Sequence, residues 1–163
     1  MIIVVMGVAG CGKTTIGKKL AAALGWGFSD ADEFHSAASI EKMKSGVALT
    51  DADREPWLRA IKAAIDENKR KGTGHVFACS ALKARYREVL GAGDPQVRFV
   101  YLRGDASLIL QRLNQRVGHF FDPALLSSQF EALEEPHDAL TVDIAQTPDA
   151  IVSRIIAALT EGK

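Results

Sequence analysis

The feature that most constrains this chain is a glycine-rich segment near its amino end. Residues 7–14 read G-V-A-G-C-G-K-T, which fits the pattern G-x-x-x-x-G-K-T. A continuous apolar run at residues 2–6 precedes it. Apolar residues spaced by four follow it at Ile16, Leu20 and Leu24. Because this strand–loop–helix context is the one the pattern requires, the sequence predicts a phosphate-binding loop, or P-loop.

Each part of the P-loop has a chemical role toward a nucleoside triphosphate. Glycines let the backbone curl with its N–H groups toward phosphate oxygens, and the next helix presents its positive end to the same anion. Lys13 can reach the β- and γ-phosphates, and the Thr14 hydroxyl can ligate Mg²⁺. The predicted nucleotide-binding residues are Gly7, Val8, Ala9, Gly10, Cys11, Gly12, Lys13, Thr14 and Thr15. The loop does not indicate what receives the phosphoryl group.

Composition narrows the kind of partner. The 163 residues suffice for one domain with a proper core. Twenty basic and twenty acidic residues cancel, which argues against a nucleic-acid partner. The apolar runs are too short to cross a bilayer and no signal-peptide pattern precedes the first strand, so we expect no membrane partner and a cytoplasmic location. Two cysteines, Cys11 and Cys79, are too few for a disulfide framework.

Along the whole chain, predicted strands alternate with predicted helices. The strands are predicted at residues 2–6, 26–29, 75–79, 97–102 and 140–144. The helices are predicted at 13–24, 40–45, from an Asp53 N-cap to about 71, from Ser80 to Leu90, around 108–113, at 123–133 and at 148–159. This alternation predicts a single α/β domain whose mostly parallel sheet is covered by helices on both faces.

Two aspartates follow the second predicted strand. Asp30 and Asp32 are two residues apart, so extended backbone would send both side chains to one side. Ligands in open α/β sheets bind beyond the carboxyl ends of strands, so both carboxylates are predicted to face the γ-phosphate. Asp30 is a candidate Mg²⁺ residue with Thr14, and Asp32 a candidate to orient or deprotonate the attacking hydroxyl. The alternative is a solvated acidic turn that caps the next segment.

The third predicted strand does not end in an acidic residue. Residues 77–80 read F-A-C-S, with Ser80 where many P-loop ATPases place an Mg²⁺-binding aspartate. This favours a kinase of small metabolites over a motor or a GTPase switch.

The P-loop together with residues 30–35, D-A-D-E-F-H, resembles the P-loop small-molecule kinases, which include shikimate and gluconate kinases. Further stretches resemble the gluconokinase family: residues 40–43, Gly46, 49–58, 79–83, 86–87, 118–121 and 129–134. Two departures are Ala31, where the family commonly has Gly, and Ala48, where it commonly has Pro. Neither removes a reactive group.

The resemblance implies ATP- and Mg²⁺-dependent phosphorylation of D-gluconate to 6-phospho-D-gluconate, which feeds the pentose phosphate and Entner–Doudoroff routes. It also implies a three-layer α/β/α sandwich with a five-stranded parallel sheet in the order 2-3-1-4-5, and often a homodimer. A helical substrate region is expected at about residues 36–72, and a lid at about 114–136. The alternatives are a kinase for another small hydroxy acid such as shikimate, or a nucleotide-dependent regulatory switch.

A gluconate site needs groups for hydroxyls and a cation for the carboxylate, and arginine suits a carboxylate because its fork binds both oxygens. The candidate substrate residues are Asp32, His35, Arg54, Lys83, Arg87 and His119. Arg54 is the leading candidate for the carboxylate, although it could instead pair with Asp51 or Glu55. Lys83 and Arg87 are four residues apart and could form a solvated helix edge.

Two arginines precede the expected lid. Arg112 and Arg116 are four residues apart, so one helix face would present both guanidinium groups. With Lys13 and Asp32, they are the predicted catalytic residues, because closing over ATP they could neutralise charge on the transferring phosphoryl group. Gly118 would supply hinge freedom. The alternative is a basic helix end that complements the helix dipole.

Overall fold

The computed structural model describes residues 1–47, 49–115 and 123–161. The strands are β1 (Ile2–Met6), β2 (Gly27–Asp30), β3 (His75–Ala78), β4 (Val97–Arg103) and β5 (Leu140–Asp143). They form a five-stranded sheet in the order β2-β3-β1-β4-β5 with every pairing parallel. The predicted order 2-3-1-4-5 is confirmed.

Helices cover both faces of this sheet. They are α1 (Lys13–Leu24), α2 (Ala37–Lys44), α3 (Asp51–Lys71), α4 (Ala84–Leu90), α5 (Ala106–Asn114), α6 (Pro123–Ala132) and α7 (Pro148–Glu161). In β1, Ile3 and Val5 point toward α1, α5 and α7, whereas Ile2, Val4 and Met6 point toward α3 and α4. All five side chains are fully buried, so β1 is the centre of a three-layer α/β/α sandwich.

The amino end of α3 differs from the prediction. The N-cap is Thr50, not Asp53, and the helix begins at Asp51. Thr50 Oγ1 accepts from the Asp53 N–H at 3.1 Å, and Asp53 Oδ2 accepts from the Thr50 N–H at 2.9 Å. This is a capping box, in which the acidic residue stands three positions inside the helix. Pro56 made Asp53 plausible as a cap, but the reciprocal pair explains the earlier start.

The helix predicted from Ser80 begins four residues later, at Ala84. Ala81 has a φ of 44°, in the left-handed region, which does not continue a right-handed helix. The carbonyls of Ala81 and Leu82 accept from the Arg87 guanidinium at 2.8 and 3.1 Å. Because a side chain binds these carbonyls, residues 80–83 form an irregular connection at the carboxyl end of β3.

Other bounds lie close to those predicted, apart from the start of α2. This helix begins three residues before its predicted start because Ser36 Oγ caps it by accepting from the Ser39 N–H at 3.1 Å. The predicted break at residues 116–119 lies outside the described residues, as do Ala48 and residues 116–122 of the expected lid. Within the described ranges, no helix is long and apolar enough to cross a membrane.

Candidate active site

The P-loop joins the carboxyl end of β1 to α1. Gly7, Gly10 and Gly12 have φ values of 150°, 78° and 98°, which glycine tolerates at little cost. A Cβ on Gly10 would lie 2.5 Å from Leu113 Cγ, so the missing side chain lets α5 pack directly against the loop. Cys11 is buried, and burial raises the pKa of its thiol. We infer that Cys11 contributes its main chain rather than a reactive sulfur.

The two polar residues that end the P-loop are already oriented by hydrogen bonds. Lys13 Nζ donates to the Val8 carbonyl at 3.0 Å, across the mouth of the loop. Thr14 Oγ1 donates to Asp30 Oδ2 at 2.8 Å. These contacts place an ammonium group, a hydroxyl and a carboxylate beside the curled main chain, as the sequence predicted.

The two aspartates reach this site by a geometry other than the predicted one. Asp30 ends β2, but residues 31–34 turn into a short 3₁₀ helix rather than continuing the strand. Asp30 Oδ1 caps this turn by accepting from the Asp32 N–H at 3.0 Å. The argument from extended backbone is therefore wrong, although both aspartates line the same cavity. Part of the alternative reading also holds, because Asp30 caps the turn and bonds to the P-loop as well.

A tryptophan and a histidine brace the turn that carries Asp32. Trp57 Nε1 donates to the Ala31 carbonyl at 2.7 Å in a buried hydrogen bond. The His35 ring stacks on the Trp57 ring, with centroids 4.6 Å apart and planes 4° from parallel. His35 Nδ1 is buried and has no hydrogen-bond partner among the described residues, and burial lowers the pKa of this residue. The expected substrate residue His35 thus lies beside Asp32 as a neutral ring.

One cavity of about 300 Å³ connects these groups. Its lining residues are Ala9, Gly10, Gly12, Lys13, Thr14, Thr15, Asp30, Asp32, Ala78, Cys79, Ser80 and Gln129. It opens at the carboxyl ends of β1, β2 and β3, where ligands of open α/β sheets bind. The P-loop and both predicted carboxylates therefore share one site.

A second group of charges lies between the amino ends of α3 and α4. The Asp51 carboxylate accepts from Tyr86 Oη at 2.7 Å and pairs with Arg85 at 2.5 Å. Arg54 lies 3.7 Å and Lys83 3.9 Å from the same carboxylate. The hydrogen bond from Arg85, then that from Tyr86, lowers the pKa of Asp51 to about 2. Three cations thus surround one carboxylate, which confirms the predicted alternative of a contact between Arg54 and Asp51.

Two predicted arginines donate hydrogen bonds to main-chain carbonyls. Arg87 is buried, and besides its bonds to residues 81 and 82 it donates from Nη2 to the Glu134 carbonyl at 2.7 Å. These bonds occupy its fork, so the geometry places Arg87 in the scaffold and not in the substrate site. Arg112 donates to the Ile144 carbonyl at 2.7 Å, just beyond β5. Arg116 and His119 lie outside the described residues.

Three residues without a predicted role contact these groups. Arg85 joins the charge group around Asp51, Trp57 braces the Asp32 turn, and Gln129 bonds to the P-loop. Arg85 is an exposed basic helix residue that no pattern singles out. Trp57 fits a buried helix face, and the only signal for it is its place in the family-like stretch 49–58. Gln129 stands 120 residues from its partner, a separation that no local pattern bridges.

This architecture defines a P-loop kinase, with a P-loop after β1 and two carboxylates at the end of β2 in a parallel sheet. The family model described as shikimate kinase matches residues 9–160. The chain is 45% identical to a probable gluconokinase of Dictyostelium discoideum, over 95% of this chain and 84% of that protein. It is 42% identical to the thermoresistant gluconokinase of Escherichia coli K12, over 99% and 95%.

A solved structure agrees with these sequence relatives. The crystal structure of a gluconokinase from Sinorhizobium meliloti 1021 superposes with a TM-score of 0.86 at 41% identity, covering 98% of this chain and 91% of that one. The chain therefore belongs to the shikimate kinase family and, within it, to the gluconokinases.

Proposed function

We propose that the chain transfers the γ-phosphoryl group of ATP to the 6-hydroxyl of D-gluconate. The observation that carries this proposal is the single cavity shared by the P-loop and the aspartate pair. In the reaction the 6-oxygen bonds to the γ-phosphorus, the bond to the β–γ bridging oxygen breaks, and the hydroxyl proton leaves. The products are 6-phospho-D-gluconate and ADP.

The phosphate end of this site consists of main-chain amides and Lys13. The glycine-rich backbone and the amino end of α1 suit the triphosphate, since both present positive dipoles to an anion. Lys13, now bonded to the Val8 carbonyl, is within the same cavity and supplies a full positive charge to the β- and γ-phosphates. These groups balance the charge that spreads over the phosphoryl oxygens during transfer.

Thr14 and Asp30 are the residues we assign to Mg²⁺. Their side-chain oxygens are 2.8 Å apart, and Mg²⁺ prefers oxygen ligands. Two such groups suit Mg²⁺, which is usually bound by one or two protein groups, water and substrate phosphates. When bound, Mg²⁺ neutralises phosphate charge.

Asp32 is the residue we assign to the acceptor hydroxyl. Its own N–H is fixed by Asp30, while its side chain is exposed to the cavity. A carboxylate so placed accepts a hydrogen bond from a hydroxyl and can take its proton during transfer. His35, stacked on Trp57 next to this turn, is a neutral neighbour for a sugar hydroxyl.

The carboxylate of gluconate requires cations, and the charge group around Asp51 provides them. Arg54, Lys83 and Arg85 converge within 3.9 Å of the Asp51 carboxylate, and this concentration of cations supports the proposal. We propose that a substrate carboxylate shares these cations, with Arg54 as the principal ligand. Its guanidinium fork can bind both carboxylate oxygens, which Lys83 cannot do, and it is less exposed than Arg85. Arg87 is left out because its fork is bound to main-chain carbonyls.

A coupled assay of ADP release tests the activity. Purified protein with ATP and Mg²⁺ is offered D-gluconate, shikimate and related sugar acids in turn. We expect turnover with gluconate. Turnover with shikimate alone would overturn the assignment in favour of the other family substrate, and slow hydrolysis that no acid stimulates would favour a nucleotide-dependent switch.

A pair of lysine variants tests the site itself. Lys13→Ala is expected to lower kcat by about 10²–10³-fold, because it removes a charge that stabilises the transferring group. Lys18→Ala removes an exposed lysine of the same helix and serves as the control. Equal activity of the two variants would remove Lys13 from the mechanism.

The homodimer, the cytoplasmic location and the division into a substrate region at about 36–72 and a lid at about 114–136 stay predictions. Light scattering on the purified protein measures the oligomeric state.

A further inference from the structure

Gln129 of α6 is hydrogen-bonded to the P-loop. Its Oε1 accepts from the Ala9 N–H at 2.6 Å. Because the Ala9 group is a donor, the oxygen end of the amide faces the loop and the Nε2 end faces elsewhere. Gln129 also lines the cavity that holds Lys13 and Asp32. The side chain therefore lies in the wall of the phosphate site, and its N–H₂ group is not used by the bond to Ala9.

That N–H₂ group has no protein acceptor in the described part of the chain. The only hydrogen bond of the Gln129 side chain there is the one to Ala9, although the residue is half-buried. A partly buried amide with unused donors gains from an anionic acceptor, since hydrogen bonds to charged groups are about twice as strong as neutral ones. The transferring phosphoryl group is the anion this cavity is built to hold.

The fold fixes the position of Gln129. Leu126, one turn earlier in α6, is 3% exposed and packs in the core. After the helix, the Glu134 N–H donates to the Leu82 carbonyl at 2.8 Å, and Glu134 Oε1 accepts from the Ala84 N–H at 2.9 Å. Contacts on both sides thus hold Gln129 at the cavity.

We propose that Gln129 is a further catalytic residue, whose Nε2 donates a hydrogen bond to the γ-phosphoryl group while Oε1 keeps its bond to Ala9. This inference rests on the proposed ATP-dependent transfer. The two ends of the amide then have different roles. Oε1 holds the side chain on the P-loop, and Nε2 binds only a nucleotide that has a γ-phosphate. ADP, which lacks that phosphate, gains nothing from Nε2.

Binding of two nucleotides to three proteins tests the proposal. Isothermal titration with Mg²⁺ and either ADP or a non-hydrolysable ATP analogue is carried out on wild type, Gln129→Ala and Gln129→Glu. In Gln129→Ala we expect the Kd of the ATP analogue to rise about tenfold or more while that of ADP stays within about twofold. Gln129→Glu keeps an acceptor for Ala9 but places a negative charge at the phosphate, so its loss is expected to be larger.

Gln111→Ala is the matched control, because Gln111 is an exposed residue of α5 without a side-chain hydrogen bond in the described chain. If the Gln129 variants bind both nucleotides equally more weakly, the proposal is overturned. Gln129 would then only connect α6 to the P-loop. Tighter binding of both would also overturn it, since the side chain would then compete with phosphate. Wild type that binds ADP and the analogue but phosphorylates no sugar acid would instead refute the proposed function.

Discussion

Thr14 Oγ1 and Asp30 Oδ2 are joined by a hydrogen bond of 2.8 Å that connects the start of α1 to the end of β2. The same carboxylate holds the Asp32 N–H through its other oxygen. The Asp30 side chain therefore positions Thr14, its proposed partner in binding the metal, and also Asp32, the residue proposed to contact the acceptor hydroxyl. The site depends on Asp30 for geometry as much as for charge.

Asp30→Asn is expected to raise the Mg²⁺ concentration needed for half-maximal activity by about 10–100-fold, because the amide keeps an acceptor for Asp32 but loses the charge that favours the metal. Activity is measured across a Mg²⁺ titration. Asp149→Asn, at an exposed ion pair with Lys19, is the control. An unchanged Mg²⁺ requirement would place the metal elsewhere.

Asp32→Asn is expected to lower kcat by about 10²–10⁴-fold with little change in the KM for ATP, because the amide cannot accept the hydroxyl proton. Steady-state kinetics with both substrates measures the effect. Glu33→Gln changes an exposed carboxylate in the same turn and is expected to be neutral. Full turnover of Asp32→Asn would exclude this residue as the base.

Arg54→Ala is expected to raise the KM for gluconate by about 10–100-fold and to leave the KM for ATP unaltered, since a charge-assisted hydrogen bond to the acid is lost. Arg59→Ala, five residues further along α3 and paired with Glu55 on the surface, is the control. If the gluconate KM does not move, Arg85 and Lys83 become the candidates for the substrate carboxylate.

Trp57→Phe is expected to lower the free energy of unfolding by about 1–3 kcal/mol, because the Ala31 carbonyl loses a buried donor while the ring that stacks on His35 remains. We also expect kcat to fall, since the turn carrying Asp32 is less firmly held. Trp26→Phe is the comparison, because the Trp26 ring N–H has no hydrogen bond in the described chain. Equal effects of the two substitutions would contradict a special role for Trp57.

Asp53→Asn tests the capping box of α3 through pH. Hydrogen bonds from Thr50 and then Lys42 lower the pKa of Asp53 from 3.8 to about 2. A carboxylate whose pKa is lower in the folded state stabilises it above pH 3.8, and this contribution is lost as the pH falls through about 2. The variant is therefore expected to melt below wild type at pH 7 and to match it below pH 2, as thermal unfolding at several pH values can measure.

The sequence predicts those parts of the protein whose signals are local. The P-loop is specified within eight residues, and the sandwich follows from alternating apolar segments. The placement of Asp30 and Asp32 at one cavity was correct even though the backbone turns at Ala31, because the end of β2 fixes where the segment emerges. The strand order was predicted from the family resemblance, because the periodicity of apolar residues does not determine the order of strands in a sheet.

Contacts between distant segments were beyond the sequence. Arg87 reads as an exposed helical cation, yet it is buried because its donors satisfy carbonyls of the irregular segment before α4. The N-cap of α3 is Thr50 and not the predicted Asp53. Either residue type can cap a helix, so the sequence alone leaves both possible, and only the reciprocal hydrogen bonds identify Thr50 as the cap. Gln129 meets Ala9 through tertiary folding alone.

The absence of a side chain on Gly10 lets Leu113 lie directly on the P-loop. A loop clamped in this way has already lost its conformational entropy when the chain folds, so that cost does not recur each time a nucleotide enters. By holding the P-loop rigid, Leu113 thus contributes to nucleotide affinity without contacting the nucleotide.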